Sequence, residues 1–293
     1  MVKVLFNEST QEWDVLEDAD PRGIYLDGYL KSKLDNVRKI LKKLWDAVIL
    51  IDGKERSGKS TLAMTIAHYL SDSKFNEQWI CSGFQDAKDK ISNCPNGSTL
   101  ILDEGSLVFN SKDAIRRENV ILQKILDVVG QKNLTLIVVL PSFFDLNKNI
   151  ACRRSRFLLH VYTDEELNRG YFAYYGEKSK NLLYELGKKN FGSYSKPSSE
   201  FQGKFTNFQP EYLDKYLEIK KASLMEALNS SIKNKGTTNN SKLDIIRQIR
   251  EFRKQCPEVT LETLFRGFGV SDKTYYRHKR LLDKEEEDKG LTL

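Results

Sequence analysis

The chain has 293 residues, of which 40% are hydrophobic and 30% charged, and its formal net charge is +6. This length allows one sizeable α/β domain with a small appended module. No apolar run approaches the roughly 20 residues that a membrane span needs, and so mild a charge gives only weak general attraction to nucleic acid. The start turns polar too early for a secretory signal, and the four cysteines form no CxxC pair. We therefore expect reduced thiols and a cytoplasmic location, in the host cytoplasm if the source is a virus.

Strands and helices alternate through the first part of the chain. The predicted elements are a hairpin over Val2–Leu16, a helix within Leu26–Leu44, a strand at Ala47–Ile51, a helix from Lys59 to about Ser71, strands at Trp79–Cys81 and Thr99–Leu102, a helix at Ile115–Val129, a strand at Leu134–Leu140, and a hairpin of Phe157–Tyr162 with Gly170–Tyr175. Such alternation implies right-handed crossovers. The predicted fold class is α/β, a three-layer domain with a parallel sheet and with the second hairpin at the sheet edge.

A segment between a buried strand and a helix fits the phosphate-binding pattern G-x-x-x-x-G-K-[ST]. Its residues are Gly53, Lys54, Glu55, Arg56, Ser57, Gly58, Lys59, Ser60 and Thr61. The glycines let backbone N–H groups and the helix N-terminus surround the phosphates, and Lys59 can reach the β- and γ-phosphates. Ser60 is a candidate Mg²⁺ ligand. We expect the charges of Lys54, Glu55 and Arg56 to be solvated.

The strand Thr99–Leu102 ends in Asp103 and Glu104, the pattern of a Walker B motif. Asp103 would orient Mg²⁺ through its water shell, and Glu104 would polarise the attacking water. The second carboxylate favours hydrolysis, because a phosphotransferase acting on a small acceptor need not activate water. An acidic turn at the end of a strand is the alternative.

Further polar residues follow the next strand. Ser142 is a candidate sensor of the γ-phosphate, although a serine after a strand could equally cap the following turn. Arg153, Arg154 and Arg156 are candidate arginine fingers, which would complete the site of a neighbouring subunit. Surface charge explains any one of these arginines about equally well.

Together these motifs resemble P-loop ATPases with an additional catalytic glutamate. Their order is most similar to the FtsK/HerA branch, which includes the ATPase domain of zonula occludens toxin-like phage proteins, and the resemblance covers Lys43–Tyr175. It implies ATP and Mg²⁺ as cofactors, catalysis by Lys59, Ser60, Asp103 and Glu104, and a homo-oligomeric ring for which a hexamer is one candidate. The chain departs from that branch in carrying Pro141-Ser142 where a glutamine is common, and in lacking the toxin-like membrane helix.

The C-terminal part is predicted to be a small all-α domain. Helices are expected at Leu243–Cys256, at Leu261–Phe265 after a Thr260 cap, and at Asp272–Leu282 after a glycine turn and a Ser271 cap. The pattern resembles helix-turn-helix DNA-binding domains. That resemblance implies DNA contacts by Lys273, Thr274, Tyr276, Arg277, Lys279 and Arg280. A three-helix module that binds protein is the alternative.

The expected organisation is an ATPase domain over residues 1–228, a polar linker over 229–241, a helix-turn-helix domain over 242–284 and a disordered tail over 285–293. The favoured hypothesis is a DNA-stimulated motor ATPase, a translocase, packaging or mobile-element enzyme that engages double-stranded DNA through the C-terminal domain. A nucleoside-type P-loop kinase, or a DNA-bound ATP-dependent switch without translocation, is the alternative.

Overall fold

The computed structural model describes residues 1–103, 112–222, 245–253, 260–268 and 270–290. Within these ranges it does not describe the side chains of residues 84–85, 112–118, 266–267, 281–282 and 284–290. The chain divides into two compact units, Met1–Leu224 and Met225–Leu293. The expected linker over 229–241 lies outside the described residues. None of the helices in the described ranges is long and apolar enough to cross a membrane.

A small antiparallel sheet begins the first unit. It contains β1 (Val2–Asn7), β2 (Glu12–Leu16) and β3 (Ile24–Leu26), with β1 in the middle. Helix α1 (Gly28–Leu41) follows, and the side chain of Asp27 caps it by accepting hydrogen bonds from the backbone N–H groups of Tyr29 and Leu30. The leading hairpin and helix of the sequence prediction are confirmed.

The central elements follow in an alternating order. The strands are β4 (Ala47–Gly53), β5 (Ile80–Cys81), β6 (Thr99–Leu102), β7 (Thr135–Val139), β8 (Phe157–Tyr162), β9 (Tyr171–Tyr175) and β10 (Phe201–Lys204). The helices are α2 (Lys59–Leu70), α3 (Phe84–Asn93), α4 (Lys112–Gln131), α5 (Glu177–Lys189) and α6 (residues 213–222).

Among the described residues these strands form one seven-stranded sheet in the order β10-β9-β8-β4-β7-β6-β5. The strands from β8 to β5 are parallel, whereas β9 is antiparallel to both β8 and β10. The predicted parallel α/β sheet is confirmed. The predicted hairpin exists as β8 and β9, but β9 is not the edge, because β10 pairs with its outer side.

Helices cover both faces of the sheet. All seven residues of β4 are buried. Ile49 and Ile51 pack in one cluster with α1 and α2, and Val48 and Leu50 pack in another with α3, α4 and α5. Successive side chains of a strand point to opposite faces, so a continuous apolar run is what a strand buried on both faces requires.

The second unit contains three described helices, α7 (residues 245–253), α8 (Leu261–Phe268) and α9 (Asp272–Gly290). Their small core consists of Ile246, Ile249, Leu264, Phe265 and Tyr275. Helix α9 continues to Gly290, into the segment for which we expected a disordered tail. The run of Lys and Glu there explains the difference, because both residue types have a high intrinsic helix propensity.

Candidate functional site

The glycine-rich loop lies between β4 and α2, at the carboxyl edge of the parallel strands. Gly53 has a φ of +139° and Gly58 a φ of +103°, values that other residues rarely adopt. A Cβ atom on Gly53 would also overlap the carbonyl of Val161, and one on Gly58 would lie 3.1 Å from the ring of Phe205. Both glycines are therefore required by the backbone path of the loop.

The loop presents positive charge, the N-terminus of a helix and a buried hydroxyl. Lys59 begins α2 and donates hydrogen bonds to the carbonyl oxygens of Gly53 (2.6 Å) and Lys54 (3.0 Å). The N-cap of α2 is Gly58, which has no side chain to cap the first N–H groups. The Ser57 hydroxyl is buried, and the described part of the chain offers it no hydrogen-bond partner. A polyphosphate would supply acceptors for these groups.

Ser60 and Asp103 meet beside this loop. The hydroxyl of Ser60 donates to Oδ1 of Asp103 at 3.2 Å, across the gap between the start of α2 and the end of β6. Asp103 is only 4% exposed. A hydroxyl and a carboxylate are hard oxygen ligands of the kind that Mg²⁺ takes together with phosphate oxygens. These residues therefore fit a magnesium nucleotide.

Two residues of α6 also contact this pair. Tyr216 donates a hydrogen bond from its hydroxyl to Oδ2 of Asp103, and the Lys220 ammonium lies 3.0 Å from the same oxygen and 3.4 Å from Oγ of Ser60. Burial, followed by the Asp103 charge, raises the pKa of Tyr216 to about 12. Burial lowers the pKa of Lys220, but Asp103 and Tyr216 offset this effect and the net pKa is raised. Lys220 is therefore a cation at neutral pH.

A second polar cluster lies under the loop, around the fully buried Asp52 that precedes Gly53. Its carboxylate accepts hydrogen bonds from Tyr194 and from the Phe143 N–H (2.9 Å), and it lies 2.9 Å from Nδ1 of His160. The rings of His160 and Tyr194 stack with centroids 3.6 Å apart. Burial and the Asp52 charge raise the pKa of Tyr194, so its hydroxyl stays a donor.

This cluster fixes the backbone that follows β7, where Ser142 lies. The Ser142 hydroxyl accepts a hydrogen bond from the Phe144 N–H at 3.3 Å and so caps a short 3₁₀ helix, Phe143–Asp145. The turn-capping alternative is thus observed. Because β7 lies between β4 and β6, the residues after it end between the loop and Asp103. A role for Ser142 as a sensor stays a prediction.

The three arginines lie at the other end of the sheet. Arg154 forms an ion pair with Asp46 (2.9 Å), Arg156 lies 5.7 Å from the ring of Trp45, and Arg153 is exposed. The register pairs Phe157 with Ile49, four residues before the Val161–Gly53 pair. That separation is roughly 13 Å along the strands. The arginines are therefore remote from the phosphate loop of their own chain. Their role as arginine fingers in the site of another subunit stays a prediction.

The remaining predicted site residues divide into three groups. Lys54, Glu55 and Arg56 are exposed, whereas Thr61 is partly buried in the first turn of α2. Glu104 lies outside the described residues. In the second unit, the predicted DNA-contacting residues on α9 are exposed or partly exposed: Lys273, Thr274, Tyr276, Arg277, Lys279 and Arg280.

Sequence reasoning missed Asp52, His160, Tyr194, Tyr216 and Lys220. A weak signal exists for two of them, since Asp52 ends a wholly apolar strand and His160 interrupts one. Tyr216 and Lys220 stand four residues apart, a spacing that places two side chains on one face of a helix. Nothing local indicates that this face meets Asp103.

Comparisons with known proteins give no family assignment. No family model matches the chain, and no curated protein matches it. Among solved structures, replication initiator DnaA bound to AMPPCP and single-stranded DNA is similar with a TM-score of 0.31 and 13% identity, over 92% of each chain. A DNA replication initiation factor is similar with a TM-score of 0.31 and 12% sequence identity, over 88% of each chain. A DNA polymerase III gamma subunit-related protein from Thermotoga maritima gives 0.30 and 13%, over 84% of this chain and 75% of that one. TM-scores this low carry no argument.

Proposed function

We propose that the first unit is a magnesium-dependent ATPase. The observation that carries the proposal is the meeting of Ser60 and Asp103, 3.2 Å apart, at the start of the helix that follows the glycine-rich loop. Two residues from separate elements converge there, next to a lysine and an uncapped helix N-terminus. This combination of hard ligands and positive potential suits a triphosphate with its metal ion.

Each residue has a role in this proposal. The loop N–H groups and Lys59 bind the phosphates, and Ser60 and Asp103 hold the magnesium ion, which neutralises phosphate charge when bound. Lys59 already lies against loop carbonyls, 2.6 Å from that of Gly53, so it needs to turn only locally to reach a phosphate. Glu104 would orient the attacking water, a role that rests on the sequence motif.

We further propose that the chain forms a homo-oligomeric ring, that the second unit binds double-stranded DNA, and that this DNA stimulates ATP hydrolysis. The support is the exposed face of α9, on which Lys273, Tyr276, Arg277 and Arg280 follow a three- or four-residue spacing. Tyr275 and His278 lie on the opposite, buried face. A basic helix face of this kind can contact the phosphates of a duplex. In this proposal, as in the motor hypothesis from the sequence, ATP hydrolysis drives movement of the protein along DNA.

The test is an ATP turnover assay with wild type, Lys59→Ala and a matched Lys74→Ala variant, with and without duplex DNA. Lys74 is exposed beyond the far end of α2. We expect Lys59→Ala to lower kcat/KM at least about a hundredfold, because a preorganised positive charge at the phosphates is lost. Lys74→Ala should behave like wild type.

The same assay separates the alternatives. Phosphate transfer to an added nucleoside, with no release of inorganic phosphate and no response to DNA, would favour the kinase. DNA-stimulated ATP turnover that does not displace a third DNA strand bound to the duplex would favour the DNA-bound switch without translocation. Turnover by Lys59→Ala equal to wild type would refute the proposed site.

A further inference from the structure

The segment after β10 lies across the loop and α2 and ends on the candidate metal site. The ring of Phe205 lies against Gly58, and Phe208 packs on His68 of α2 with ring centroids 5.2 Å apart. Tyr212 then packs edge-on against Phe75, with centroids 5.9 Å apart. These contacts fix the position of α6 and bring its next turns to Asp103.

Tyr216 and Lys220 occupy adjacent turns of α6 and act on the same oxygens. The Lys220 ammonium is 3.0 Å from Oδ2 of Asp103, 3.4 Å from Oγ of Ser60 and 3.1 Å from the Tyr216 hydroxyl. The Tyr216 hydroxyl also donates to Oδ2 of Asp103. We call Tyr216 and Lys220 the α6 clasp.

The α6 clasp and a magnesium ion would bind to the same oxygen atoms of Ser60 and Asp103. Mg²⁺ holds its ligands about 2.1 Å away in octahedral geometry, and it holds more distant carboxylates through its bound waters. Either arrangement uses the oxygen atoms of Ser60 and Asp103 that now face the Lys220 ammonium. A divalent ion and an ammonium group also repel each other, which disfavours their binding to the same oxygen atoms at the same time.

We propose that the α6 clasp and the magnesium nucleotide bind Ser60 and Asp103 in mutually exclusive states, so that loading of the metal releases α6. The proposal rests on the proposed function, since it assumes that these residues hold the metal of a bound nucleotide. Lys220 is then an internal cation that competes with Mg²⁺.

The first test is a Mg²⁺ titration of nucleotide binding, read from the fluorescence of an ATP analogue, with Lys220→Met and a matched Lys221→Met variant. Lys221 is exposed on the next position of α6. Removal of the competitor should lower the half-saturating Mg²⁺ concentration about tenfold in Lys220→Met if the clasp holds the site nine-tenths of the time. Lys221→Met should match wild type.

The second test needs no variant. Hydrogen exchange of the amides in residues 213–222 should quicken when wild type receives Mg²⁺ together with a non-hydrolysable ATP analogue, and not with either alone. An unchanged or higher Mg²⁺ requirement in Lys220→Met, or slowed exchange in α6, would overturn the clasp while leaving the ATPase proposal intact. Failure of both wild type and Lys220→Met to bind the analogue at any Mg²⁺ concentration would overturn both proposals.

Discussion

His68 shows how strongly a single position can depend on its burial. Its ring lies near Trp13 and Phe208, with centroids 6.1 and 5.2 Å away, and its buried Nδ1 atom has no hydrogen-bond partner in the described part of the chain. Burial lowers the pKa of His68 to about 4, against an ordinary value of 6.5. The native state therefore holds a neutral imidazole at neutral pH.

This shift predicts a loss of stability in acid. Between pH 6.5 and about 4 the unfolded chain binds a proton at His68 that the native chain does not, so the free energy of unfolding falls as the pH falls. The loss reaches at most about 3 kcal/mol at the low end. His68→Phe should remove this part of the pH dependence, as measured by urea unfolding of both proteins from pH 7 to 4. Parallel curves for the two proteins would contradict the assignment.

At this scale the sequence predicts well those residues that a contiguous motif defines. Lys59 and Ser60 follow from the loop pattern, and Asp103 follows from the strand that precedes it, because backbone geometry fixes both. Tyr216 and Lys220 were not predictable, since their contact with Asp103 joins residues more than a hundred positions apart and depends on the path of the intervening chain.

Helices and strands also divide into those that the sequence predicts and those that it does not. Strands of continuous apolar residues, such as β4 and β7, were predicted because both of their faces are buried. Helix α5 was missed, and two of its four buried residues, Lys180 and Gly187, explain why, since they break the apolar spacing. Strand β10 is short and contains Gly203, at which a Cβ atom would overlap the ring of Phe172. Its sequence also contains none of the β-branched residues that are typical of strands, so the sequence gives no clear signal for it.

The exposed face of α9 carries the DNA prediction. The double variant Arg277→Ala with Arg280→Ala should weaken duplex binding, because two phosphate contacts are lost. The slope of log K against log salt should fall in magnitude by about two. Fluorescence anisotropy over a salt series measures both quantities.

The matched control for this variant is Lys178→Ala with Lys189→Ala, which removes two exposed positive charges from α5 in the other unit. It should bind duplex DNA with the affinity and salt slope of wild type. Equal slopes for the α9 variant and wild type would exclude those arginines as DNA contacts, and would favour a module that binds protein.

In the whole molecule, the order of strands explains how distant parts of the sequence form one site. The loop after β4, the turn after β7 and the end of β6 are neighbours because β7 lies between β4 and β6. The carboxyl ends of parallel strands meet at one edge of the sheet, which is where ligands of such folds bind. Fold class was predictable from the alternation of elements, whereas the strand order had to come from the structure.

In the proposed ATPase, Ser60 and Asp103 together hold the metal ion of ATP. The most direct measurement is ATP turnover by Ser60→Cys in Mg²⁺ and in a softer divalent ion such as Cd²⁺, beside wild type. Sulfur is a poor ligand for Mg²⁺ and a good one for soft ions. We predict that Ser60→Cys loses at least about tenfold in Mg²⁺ and recovers in Cd²⁺ relative to wild type. An unchanged ratio of the two metals between variant and wild type would contradict direct contact between Ser60 and the ion.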